Sequence, residues 1–124
     1  MLMERQGVDL IVYPAAFSAI TGPIHFSALG ITRALDTQCY VALNSQSQNF
    51  NDPTAFKTWG HSQVINPNGL ICAQSELGDA IVFHDLDLDF MEKQRTSFPF
   101  KEQRRADLYE ILEKTLVKPK ANKD

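Results

Sequence analysis

The sequence predicts an α/β fold that opens as a strand–helix–strand crossover and then turns antiparallel, giving a mixed sheet. Three observations carry this. Two short, nearly continuous apolar runs, Val8 to Tyr13 and Cys39 to Leu43, read as buried parallel strands covered on both faces. A helical pattern opened by Pro23 lies between them. Further on, Asn66-Pro67-Asn68-Gly69 separates two more strand-like runs and carries a strong hairpin signal.

Taken in order, MLMERQG reads as the end of a helix closing at Gly7, so the chain is expected to start in the middle of a unit. The first strand follows and is ended by Pro14. Pro23 fits the first helical position, with Gly22 or Thr21 as cap. Ile24, Ala28, Ile31 and Leu35 then form one apolar stripe, and the helix should reach Asp36 or Thr37. The polar stretch from Asn44 to Trp59 is a long loop of the kind that often carries function. Ser62 to Ile65 and Leu70 to Ala73 form the hairpin, and Ala80 to Phe83 is expected as a further strand. Asp85 or Asp87 caps a short helix to about Gln94. Leu108, Ile111, Leu112 and Leu116 have helical spacing, with an extended arm as the competing reading.

With 124 residues there is room for one domain with a real core, expected over residues 1–117 with a charged, flexible tail at 118–124. Hydrophobic residues at 44% and charged ones at 22% describe a folded chain rather than a disordered one. A net charge of −3 with no long basic block argues against a nucleic-acid partner. No apolar run approaches the ~20 residues of a membrane span. MLMERQGVDL has no leader pattern, so a cytoplasmic location is expected, with a mitochondrial one left open.

Little in the residues supplies an engine. His25, His61 and His84 lie at no zinc spacing, and no metal or cofactor is expected. His25, in the first turn of the helix, is more readily structural than catalytic. Cys39 opens a buried strand at a negative helix end and reads as inert core, as does Cys72. Asp85, Asp87 and Asp89 read as capping and solvated. A free-standing amidase or esterase using Cys39 is the weakest option. The stretch YPAAFSAITGPIHF, Tyr13 to Phe26, is a site-like strand-to-helix corner without its own catalytic group.

VDLIVYPAAF, TGPIHF, TRALDTQCYVAL, WGHSQVINPNG and RRADLYEI, in this order, resemble the C-terminal half of a nitrilase-superfamily carbon–nitrogen hydrolase, and within it the omega-amidase branch. The likeness runs from about Arg5 to Ile111. It implies part of a four-layer αββα sandwich whose N-terminal half is missing, assembled as a dimer. It implies a Glu–Lys–Cys site in which glutamate is the base, lysine stabilises the oxyanion and cysteine forms a thioester. The substrates would be omega-amides of small dicarboxylic acids, such as alpha-ketoglutaramate, and ammonia the co-product.

The resemblance places all three catalytic groups outside this chain, so no catalytic residue is assigned and the chain alone is expected to be inactive. Cys39 does not match the nucleophile. Two substrate-binding residues carry over: Phe17, whose backbone would line the pocket, and Thr21, whose side chain would reach the substrate carboxylate. The residues alone favour a core aromatic and a helix cap, and Thr21 could both cap and bind. The alternative is a non-catalytic module that pairs with a full-length amidase.

Overall fold

The computed structural model describes residues 2–109, so the pattern of Ile111, Leu112 and Leu116 and the tail at 118–124 lie outside the described residues. A single turn, α1 (Leu2–Arg5), closes through the Gln6 and Gly7 amides, which donate to the Met3 and Glu4 carbonyls at 3.0 Å each. β1 (Leu10–Pro14), α2 (Gly22–Thr37) and β2 (Tyr40–Asn44) make the expected crossover, with β1 and β2 parallel and Leu10 opposite Tyr40. β3 (Gln63–Ile65) and β4 (Ile71–Gln74) add the hairpin, antiparallel to β2. The result is a mixed sheet of order β1-β2-β3-β4. Asn66 closes the hairpin turn, its side-chain oxygen accepting from the Asn68 and Leu70 amides at 3.0 Å.

One face of the sheet is covered. Ile11, Val41, Leu43 and Ile65 pack there with Phe26 and Ala34 of α2. The buried row on α2 is Gly22, Phe26, Gly30, Ala34 and Thr37, not the expected stripe. Ile24 is 65% exposed and Leu35 41%, and Ala28 is exposed too. The reason is close approach. A Cβ on Gly30 would lie 2.6 Å from the Leu43 Cδ1 and 2.7 Å from the Ile65 Cδ1, so the helix meets the sheet through its smallest residues. Phe26 packs inward beside them and Ile31 at the margin, while Ile24, Leu29 and Leu35 are left to turn outward.

The opposite face differs from the expectation of strands buried on both sides. Leu10 and Val12 are exposed there. Residues 80–83 are not a strand. Ile81 and Phe83 are exposed, and the segment borders a cavity of about 330 Å³ with Val12, Ala42 and Val64. It crosses the open face instead of extending an edge, so it finds no ladder to join.

α3 (Leu88–Ser97) starts where Asp87 accepts from the Phe90 amide at 2.8 Å, and it runs past the expected Gln94. A short α4 (Phe100–Gln103) follows that the sequence did not signal. Among the described residues no helix is long and apolar enough to cross a membrane.

Candidate functional site

The corner after β1 is tied to the long loop. Ala15 donates to the Asn44 carbonyl at 2.9 Å, carrying the chain across the end of the sheet. The Phe17 carbonyl accepts from the Trp59 amide at 2.8 Å, Ser18 bridges Thr58, and Ala19 donates to the Lys57 carbonyl at 2.8 Å. The Asn44-to-Trp59 loop is therefore the backing of the corner. The Phe17 ring meets Phe26 edge-on at 5.5 Å, which is its core role.

Thr21 occupies the N-cap position of α2 but caps nothing with its side chain. Its backbone sits at φ −90°, ψ −26°, in the helical region rather than the extended one a capping hydroxyl needs. Its amide donates to the Ser18 Oγ at 3.1 Å, and the two hydroxyls lie 3.0 Å apart. Either hydroxyl can donate in that pair, and the arrangement in which Ser18 donates leaves the Thr21 proton for an incoming acceptor. The first-turn amides offer less. Gly22 donates to the Ser18 carbonyl, Pro23 has no N–H, and Ile24 and His25 donate to the Thr21 carbonyl. The helix start thus presents its positive dipole end and hydroxyls, and keeps its amides occupied.

Beside Phe17 lies a cavity of about 170 Å³ lined by Tyr13, Phe17, Phe26, Leu29, Arg33 and Leu43. It is a mostly apolar recess with one cation at its margin. Arg33 also faces Asp36 at 3.8 Å, with both side chains about half exposed. Ser18, Arg33 and Trp59 were not singled out by sequence reasoning. Only the length and polarity of the loop pointed toward Trp59.

The other candidates disperse. His25 is exposed on the first turn of α2. His84 tilts over Tyr40 at 6.2 Å. His61 stacks on Trp59 at 3.9 Å, away from any nucleophile. Cys39 is fully buried, its thiol within reach of the Val8 and Thr37 carbonyls at 3.1 and 3.3 Å. Here the structure adds a cation the sequence did not signal: the Arg95 Nη2 lies 3.4 Å from the Cys39 sulfur. That guanidinium also donates to the Val8 and Gln38 carbonyls and to Glu92, and together these groups enclose the thiol. Cys72 is half-buried near the Leu70 carbonyl. Asp87 caps α3, while Asp85 and Asp89 are exposed. Among the described residues no cluster of His, Cys, Asp and Glu is placed to hold a metal.

Residues 1–96 match the carbon–nitrogen hydrolase family model. The chain is 40% identical over 110 residues to omega-amidase NIT2 of Homo sapiens, covering 89% of this chain and 39% of that protein. It is 37% identical over 113 residues to the chloroplastic omega-amidase of Arabidopsis thaliana, covering 91% of this chain and 30% of that one. Its fold is similar to the crystal structure of Saccharomyces cerevisiae Nit3, a member of branch 10 of the nitrilase superfamily. That match has a TM-score of 0.77 and 38% identity, over 84% of this chain and 38% of the other. The chain therefore spans well under half the length of these relatives. Its expected placement as their C-terminal half is not supported by these matches.

Proposed function

The chain belongs to the carbon–nitrogen hydrolase family, and from that premise we propose that it contributes one wall of an omega-amidase-like substrate pocket. The substrates would be omega-amides of small dicarboxylic acids, hydrolysed to the acid and ammonia. The observation that carries the reading is the Thr21 hydroxyl, which caps no amide and pairs with Ser18 at the positive end of the 16-residue α2, with Phe17 of the same segment lining an apolar recess. A short acid with a carboxylate at one end and an amide at the other suits such a corner. Its carboxylate takes the hydroxyl proton and the dipole, while its methylenes lie along Phe17.

The base, the oxyanion lysine and the nucleophilic cysteine belong, in this proposal, to the part of the fold that the chain does not span. What supports this is the burial of Cys39 and the 39% share of the human relative that is covered. The four-layer αββα arrangement is part of the same proposal. It is supported by a sheet with a helix on one face and Leu10 and Val12 exposed on the other.

The test is binding. Succinamate, a dicarboxylic acid monoamide, is titrated into the ¹⁵N-labelled chain. Amide shifts at Phe17, Ser18 and Thr21 with millimolar affinity are expected, and Thr21→Val should weaken binding about tenfold, the value of one charge-assisted hydrogen bond. No shifts at these positions, or equal affinity in Thr21→Val, would remove the proposal.

A further inference from the structure

We infer that Trp59, held in place by His61, is the positioning residue of the Phe17–Thr21 wall. The inference deepens the pocket reading above and rests on it for its functional meaning. Trp59 touches the segment at both ends. Its amide donates to the Phe17 carbonyl at 2.8 Å, which fixes where the wall begins. Its indole fills the space beside Gly22, where a Cβ would overlap the Trp59 Cβ and Cγ. The absence of a side chain at Gly22 lets the indole set where α2 starts. One residue thus spans the six-residue stretch from Phe17 to Gly22, between whose ends Ala19 donates to the Lys57 carbonyl of the same loop.

His61 holds Trp59 itself. Gly60 and His61 are consecutive left-handed residues, at φ +63° and +55°. Residues other than glycine are uncommon there, histidine being among those that enter it more readily, and such a conformation is held by its surroundings. The reversal brings the His61 ring flat onto the indole, with centroids 3.9 Å apart and planes within 9°. The Nδ1 pairs with the Trp59 carbonyl, and the Nε2 faces Glu76 at 3.7 Å. A tryptophan that served packing alone would not need to attach to both ends of one exposed segment.

Amide hydrogen exchange on the full 124-residue chain tests this. His61→Asn removes the ring but tolerates the left-handed backbone. In this variant the amides of Ala19, Gly22 and Trp59 are expected to exchange at least about tenfold faster, while Tyr40, which donates to the Asp9 carbonyl across the sheet, stays within about twofold. Emission from the single tryptophan changes with it. Gly22→Ala, which displaces the indole directly, should give the same local pattern from the other side. Unchanged exchange at Ala19, or an equal acceleration that includes Tyr40, overturns the inference. Succinamate affinity, read in parallel, should fall about tenfold in His61→Asn. If the unaltered chain binds no succinamate, the pocket reading fails while the exchange data still decide the positioning role.

Discussion

Where β1 and β2 begin, Arg95, Gln38 and Tyr40 tie three elements together through polar contacts that are in part buried. Where the same strands finish, Ser18 and Thr21 hold their hydroxyls in the open. Arg95 donates to the Gln38 and Val8 carbonyls at 3.2 and 3.0 Å and reaches Glu92 and Asp9 at 2.7 and 3.4 Å. The Gln38 amide donates to the Phe98 carbonyl at 2.8 Å, and the Tyr40 hydroxyl lies between the Asp87 amide and carbonyl. Burial works to lower the Arg95 pKa, but hydrogen bonding to Glu92 and Cys39 leaves it raised above its ordinary value. A thiol beside a cation resembles a reactive site more than two hydroxyls do. Yet the Arg95 and Tyr40 donors there are already committed to partners, and it is an acceptor, the buried Gln94 Oε1, that is left without one.

The strongest way to break this contrast is Arg95→Met. Methionine keeps the hydrophobic stem, removes the donor to the Gln38 carbonyl and leaves the Val8 carbonyl only the weak Cys39 thiol. A loss of about 3 kcal/mol is expected, from two partly buried acceptors at 1–3 kcal/mol each less what water restores. Urea unfolding reads it as a lower midpoint at unchanged slope. A loss below about 1 kcal/mol would mean that the closed end is not where the polar contacts stabilise the fold.

The contrast also explains what was legible in the sequence. Pro23 and the Asn66–Gly69 turn announce local geometry, and both appear where expected. The contact face of α2 was misread because Gly22, Gly30 and Ala34 carry little hydrophobic signal, while the outward Ile24 and Leu35 carry a great deal. Residues 80–83 have strand chemistry, but whether a sheet edge is open to them is a tertiary fact. Arg95 meets partners 86 and 87 positions away, beyond the reach of any periodicity. Thr21 was legible as a residue at a helix start. That its side chain pairs with Ser18 rather than capping depends on a backbone angle and on Ser18.

Cys39→Ala sharpens the comparison at smaller cost. The cavity left by one sulfur and the lost thiol contacts together destabilise by about 1 kcal/mol. The informative readout is reactivity. In the native chain a thiol reagent should modify the half-buried Cys72 readily and the fully buried Cys39 only at the rate of unfolding. Rapid modification of both would show that the closed end opens, and would return Cys39 to the list of candidate nucleophiles.

The smallest effect lies in the loop behind the open end. Asp52 accepts from the Thr54 hydroxyl at 2.6 Å and the Thr54 amide at 2.8 Å, and the hydroxyl bond, foremost, holds its pKa below the ordinary value. A carboxylate depressed in the folded state contributes order that is fully present above its unfolded pKa, near pH 4, and is lost as pH falls through the lower folded value. Asp52 is fully exposed, so the consequence is local. Below about pH 4 the Thr54 amide should exchange faster than its intrinsic pH dependence allows, with little change in global stability. The anchoring of Ala19 to Lys57 lies a few residues further along the same loop. If acid loosens Thr54 and leaves Ala19 protected, the turn at Asp52 and the backing of the wall are separate units. If both loosen together, the whole Asn44-to-Trp59 loop moves as one, and the wall is only as firm as its most exposed turn.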